Sequence, residues 1–337
     1  MEYLNSLLPF VLGILSFFIK VAIIVGGILM IIASSMKDKN EEKITVKDIN
    51  KRFKKYKQAL LTSILDKKAL KKELKNEAKL ADKNSTLPKT FVIDFKGDMK
   101  ASAVDELRET ITATLSVATK QDEIVVTLES PGGMVHGYGL AASQLQRIKD
   151  AGIPFTICVD KVAASGGYMM ACLADKIIAA PFSIIGSVGV VASLPNFNKL
   201  LKKNSIDYYQ VTSGKYKRTV SLMGDITDEG LSKFKEEIEE THGLFKDHIK
   251  KFRPQVDVDK IATGEHWYGQ VALTLKLVDE LGTSDDYLLK QTQTRAVKQI
   301  CYQTKKSFKE KMAEGLAYIF NNSYDSVNEK INSPNLQ

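Results

Sequence analysis

Residues 10–35 form a 26-residue apolar run in which Lys20 is the one charged side chain, longer than the roughly 20 residues a helix needs to cross a bilayer. A lysine is tolerated there when its long stem carries the ammonium toward the nearer face. The run is too long for the core of a cleaved signal peptide and no basic residue precedes it, so residues 1–36 are expected to form a retained single-pass anchor. From residue 41 to 81 the pattern changes. Ile44, Val46, Ile49, Phe53, Tyr56, Leu60, Leu61, Ile64 and Leu65 recur mostly at three- and four-residue intervals among lysines. This predicts an amphipathic helical stalk, lying on a membrane or against another subunit, with disorder an equal reading for residues 67–83; with a linker at 84–88 it fills residues 37–89.

Beyond the linker, short apolar runs alternate with helical patterns. Residues 91–95, 123–128 and 155–159 read as strands, 103–117 and 137–151 as helices, and 208–212 as a further strand. The alternation predicts an α/β domain over residues 90–290 with a parallel sheet, whose ligands gather at the C-terminal ends of the strands. Residues 291–337 read as a C-terminal helical extension, with an amphipathic stretch at 305–321 and a mobile tail.

Charge adds a partner. The chain carries 48 Lys and Arg against 40 Asp and Glu, and residues 37–84 alone hold sixteen against eight, the whole surplus of eight. A charge concentrated beside an apolar run fits a lipid bilayer, and no nucleic-acid-binding module accompanies it. The positive-inside rule applied to that basic flank places the C-terminal bulk in the cytoplasm. Cys158, Cys172 and Cys301 show no metal or redox spacing; the first two lie in apolar surroundings and read as packing residues.

The candidate chemistry sits in glycine-rich turns. Ala163-Ala164-Ser165-Gly166-Gly167-Tyr168 runs into an apolar helix, where a serine meets unpaired N–H groups and little bulk. It suits a nucleophile, and it equally suits a serine that caps the helix. Ser130-Pro131-Gly132-Gly133 leaves a strand, either as an ordinary turn or as a source of N–H groups for an oxyanion. A hydroxyl nucleophile needs a base. Of His136, His242, His248 and His266 only His136 is near a glycine turn, whereas Ser213-Gly214-Lys215-Tyr216-Lys217-Arg218 offers lysines. A lysine serves as base only where burial populates its neutral amine.

These turns, with Ile185-Gly186-Ser187-Val188-Gly189-Val190 and the later Tyr268-Gly269-Gln270-Val271-Ala272 and Leu277-Val278-Asp279-Glu280-Leu281-Gly282, closely resemble the signal peptide peptidase A family of membrane serine proteases. The anchor and basic stalk ahead of one catalytic unit look like its SohB branch. The resemblance implies that Ser165 is the nucleophile, Lys217 its general base and Lys215 a variable position. It also implies that the Gly133 N–H, assisted by that of Gly166, receives the oxyanion, and that Ser187 hydrogen-bonds the lysine. It implies a ClpP/crotonase-like stack of ββα units assembled as a homo-oligomer, peptide substrates that are unfolded or membrane-derived, such as signal-peptide remnants, and no metal or cofactor. It places the catalytic domain on the periplasmic side of the bacterial cytoplasmic membrane, against the charge rule. Where relatives carry an arginine before the Trp-Tyr segment, this chain has Glu265-His266. Two other classes share the glycine turns: a crotonase-like acyl-CoA enzyme and a catalytically inactive scaffold of protease fold.

Overall fold

The computed structural model describes residues 20–21, 25–27, 43–81 and 87–303. Residues 44–302 form one compact unit; residues 1–43 with 303–337 form a second, in which residues 20–21 and 25–27 are helical. Among the described residues no helix is long and apolar enough to cross a membrane. The anchor expected at 1–36 lies outside the described residues except at those five positions, and the amphipathic stretch and tail expected at 305–337 lie wholly outside them.

In chain order the compact unit runs β1 (Lys43–Asp48), α1 (Ile49–Ile64), α2 (Lys67–Ala81), β2 (Lys89–Lys96), α3 (Val104–Leu115), β3 (Glu123–Glu129), α4 (Val135–Asp150), β4 (Phe155–Val159), β5 (Val162–Ala164), α5 (Gly166–Ala171), β6 (Lys176–Ala179) and β7 (Ile184–Gly186). It continues with α6 (Asn198–Lys203), α7 (Asp228–Phe252), α8 (Val258–Ile261), β8 (His266–Tyr268), α9 (Gly269–Thr274), β9 (Glu280–Leu281), α10 (Ser284–Gln291) and β10 (Ala296–Gln303). Seven strands form one sheet in the order β1-β10-β2-β3-β4-β6-β9, and β5-β7-β8 form a smaller one. From β10 to β9 every pairing in the large sheet is parallel, as the strand–helix alternation predicts.

Strand alternation explains the core. Phe91, Ile93 and Phe95 of β2, Ile124, Val126 and Leu128 of β3, and Phe155, Ile157 and Val159 of β4 face one side, where Leu107, Ile111, Leu145 and Ile148 of α3 and α4 cover them. Val92, Val125 and Cys158 face the other side and pack with Ile49 of α1 and Leu288 of α10. Both faces are therefore buried, as a parallel sheet requires.

Three expectations are corrected. The stalk does not begin as a helix: Lys43–Asp48 is a strand on the sheet edge, because Ile44 and Val46 stand two apart and β-branched, the spacing of a strand. Asp48 then starts α1 by accepting the Lys51 N–H at 2.9 Å. The α/β unit does not end at residue 290, since β10 pairs with β2 along Ala296–Ile300 inside the sheet. The strand expected at 208–212 is irregular chain with exposed side chains, lacking a neighbouring strand among the described residues to hydrogen-bond.

Candidate active site

The large and small sheets meet at the two glycine turns. Ser130, leaving β3, forms an isolated parallel bridge with Ala163 of β5. Its N–H donates to the Val162 carbonyl at 2.8 Å, and its own carbonyl accepts from Ala164 at 3.0 Å. This lays the 130–133 loop along the turn that carries Ser165. The contact tolerates no side chain at Gly132, which has φ +87° and where a Cβ would stand 2.7 Å from that of Ser165. A hydrogen-bonded relay stiffens the loop: the Gly132 N–H donates to Ser130 Oγ at 3.1 Å, Ser130 bonds Tyr138 Oη at 2.6 Å, and Tyr138 donates to the Asp98 carbonyl at 2.8 Å. Burial raises the Tyr138 phenol above its ordinary value, so it stays a neutral donor.

Ser165 precedes α5 with φ 51° and ψ −118°, a backbone conformation that L-residues rarely adopt, and its side chain makes no capping bond. Its N–H donates to the Gly186 carbonyl at 2.7 Å. The half-buried hydroxyl has no hydrogen-bond partner among the described residues. Of the two readings of this serine, helix cap and available hydroxyl, the geometry fits the second. The Gly133 N–H is without an acceptor among the described residues, and Gly166, as the first residue of α5, has no intrahelical acceptor for its own. Ser165, Gly133 and Gly166 line one cavity of about 90 Å³.

Ser187 follows Gly186, the residue that accepts from Ser165, and is held at φ 52° with its N–H on the Glu265 carbonyl at 2.7 Å. It is one residue beyond the Ser165 contact but does not line the cavity. Lys217 is not brought there at all. It lies in an exposed arm, residues 190–227, whose one helix, α6, buries no residue. It lines a separate groove of about 710 Å³ with Tyr208, Gln210 and Met223. Val191 and Val211 of this arm are 87% and 96% exposed, an unusual state for β-branched aliphatic side chains. Lys215 is bound to Glu229, whose carboxylate raises its pKa and keeps it a cation. His136 is exposed and outside the cavity.

The walls of the cavity were not legible from sequence. They come from Met169 on α5, from Val190 and Val191 after β7, and from Thr241 and Phe245 on α7. The apolar spacing of Ile238, Thr241, Phe245 and Ile249 along α7 was the available signal. That helix is fixed behind α5. His248 Nε2 lies 2.9 Å from the Met169 carbonyl, and burial lowers the His248 pKa. At the end of α7 the buried Arg253 donates to both carboxylate oxygens of Asp279 at 2.8 Å, next to the bond from Tyr168 Oη to the Leu277 carbonyl at 3.0 Å. His242, beside Thr241, keeps its buried Nε2 without a partner among the described residues.

Comparison with known proteins adds identity to this geometry. Residues 147–298 match peptidase family S49, and residues 2–145 match the description "Peptidase family S49 N-terminal". A probable protease SohB of Haemophilus influenzae is 45% identical over 317 residues, covering 88% of each chain. A probable protease SohB of Buchnera aphidicola subsp. Acyrthosiphon pisum is 51% identical over 230 residues, 68% of each. Among solved structures, a mutant of the 1510-N membrane-bound stomatin-specific protease in complex with a substrate peptide is 17% identical, with a TM-score of 0.41 over 70% of this chain and 99% of its own.

Proposed function

Since the chain belongs to peptidase family S49, we propose that it is a membrane-anchored serine endopeptidase with a Ser165–Lys217 dyad and a ClpP/crotonase-like fold. The observation that carries the reading is Ser165 itself: a rarely adopted backbone conformation presents a hydroxyl, unpartnered among the described residues, beside two N–H donors in one cavity. A neutral Lys217 amine takes the Ser165 Oγ proton as the oxygen attacks a peptide carbonyl carbon. The oxyanion receives the N–H groups of Gly133 and Gly166. The lysine then returns the proton to the departing amine, and a water that it deprotonates cleaves the acyl ester and regenerates Ser165. Ser187 holds the lysine by a hydrogen bond.

The arm must move or assemble for this chemistry. Lys217 is exposed in the single chain and outside the Ser165 cavity, and a lysine is a base only where it is desolvated. The exposed aliphatic surface of the arm supports a homo-oligomer in which packing between copies buries the lysine against a serine. In this reading residues 1–36 are the anchor, 37–89 the basic stalk and linker, 90–303 the peptidase unit, extended past residue 290 by β10, and the remainder the C-terminal extension. The catalytic unit faces the periplasm and takes unfolded or membrane-derived peptides, small apolar side chains fitting a cavity of this size.

The test is cleavage of an unfolded peptide by the full chain in detergent. Ser165→Ala and Lys217→Ala are each expected to be inactive while melting normally, and an equimolar mixture of the two to regain a measurable part of wild-type activity. Full activity of Lys217→Ala would overturn the dyad. Retention of the chain on a coenzyme A resin would favour the acyl-CoA alternative.

A further inference from the structure

The basic helices α1 and α2 take no part in the chemistry proposed above. We propose that they form a docking surface for the headgroup layer of an anionic phospholipid bilayer. Ile49 and Phe53 begin an apolar row on α1 that packs on the sheet. The row continues at three- and four-residue steps through Tyr56, Leu60 and Ile64, which have left the sheet and are 60%, 64% and 72% exposed. Three large apolar side chains in one line, facing water on a helix anchored at its other end, form the apolar stripe of an interfacial helix.

The surrounding charge is predominantly basic. α1 carries five basic residues and no acidic one, and α2 six lysines against two glutamates. Lys57 reaches Glu73 at 3.4 Å, but Lys54, Lys55, Lys67, Lys68, Lys71 and Lys72 have no acidic partner among the described residues. Beside α1 opens a groove of about 730 Å³ whose lining combines Phe53, Leu87 and Leu289 with Lys51, Lys54 and Lys57, and in which Asp48 is the one carboxylate. Apolar side chains flanked by ammonium groups fit phosphate headgroups above acyl chains. In sequence, residues 36–42 are all that separates the 10–35 apolar run from β1. A second copy is a poorer occupant, because the same surface facing itself would set cations against cations.

The experiment measures amide hydrogen exchange on the full chain in lipid nanodiscs of phosphatidylcholine alone, or with one part in three of phosphatidylglycerol. Exchange across residues 56–64 is expected to be about three-fold or more slower in the anionic discs. The difference should vanish at about 0.5 M salt, and in a Lys54→Glu/Lys55→Glu/Lys71→Glu/Lys72→Glu variant, whose positions are all exposed and whose circular dichroism should be unchanged. Equal exchange in both lipids overturns the proposal. So does protection in zwitterionic discs that grows with protein concentration, which would instead assign the surface to a second copy, its basic helices meeting for instance the glutamates of α7. The anchor is tested separately: a chain that enters anionic discs and not zwitterionic ones removes the anchor and keeps the docking, and association with neither removes both. Peptidase activity enters none of these outcomes.

Discussion

A serine at φ 51° is held in a conformation that glycine adopts without strain. Ser165→Gly is therefore expected to abolish peptide cleavage while raising stability by about 1 kcal/mol, seen as a higher melting temperature than that of Ser165→Ala. A glycine variant that melts below the alanine variant would mean that the strain is not stored at this residue. Gly133 carries the opposite constraint, since a Cβ there would run into the Met99 backbone carbonyl. Gly133→Ala should displace the donor N–H and cut kcat by about 100-fold, with KM changed far less. Ser165 and the loop at 130–133 stood out in the sequence as candidates because small residues permit close approach, while the choice between turn or cap and chemistry came from the family resemblance rather than from the residues alone. Tyr138 and Phe245 were not, because an aromatic residue on a helix reads as core whether it packs against a sheet or lines a cavity. Whether Lys217 meets Ser165 depends on what covers an exposed arm, and neither spacing nor composition encodes that.

At the scale of elements, α7 acts as a backstop for α5 through the contact of His248 with the Met169 carbonyl. Burial holds the folded-state pKa of His248 below its ordinary 6.5, so the unfolded chain binds this proton more readily. Stability from this site is thus intact above pH 6.5 and is lost as the pH falls from there through the lower folded value. His248→Gln retains a donor for the Met169 carbonyl and removes the titration. Its melting temperature is expected to fall less than that of wild type between pH 7 and 5, and parallel curves would exclude the effect. The strands β2, β3 and β4 were plain in the sequence because their apolar runs are of strand length and bounded by turns. β1 was hidden by its neighbour. Ile44 and Val46 stand just ahead of a row that is helical from Ile49 onward, and two apolar residues are too few to announce a change of period. β10 was hidden for another reason: Ala296–Gln303 carries polar residues inside the sheet, where Lys298 pairs with Asp48 and Gln299 with Asp94.

For the molecule as a whole, the arm at 190–227 carries the largest claim. If its exposed aliphatic side chains are an assembly surface, Val211→Glu should lower the sedimentation coefficient of the detergent-solubilised chain and its activity together, with the melting temperature within a few degrees of wild type. A variant that keeps its size would separate the arm from assembly. The insertion of β10 between β1 and β2 has a consequence for how the protein is made. Asp48 and Lys298, ion-paired in the finished sheet, lie 250 residues apart in the chain. A ribosome that has already delivered β1 and β2 must still polymerise nearly all of the remaining chain before the strand that joins them emerges. Throughout that interval the nascent β2 offers an open edge, and β1 has nothing to pair with. Translation to about residue 303 thus becomes the checkpoint for closing the sheet, and every chain truncated short of it would carry the serine turn on an unfinished scaffold.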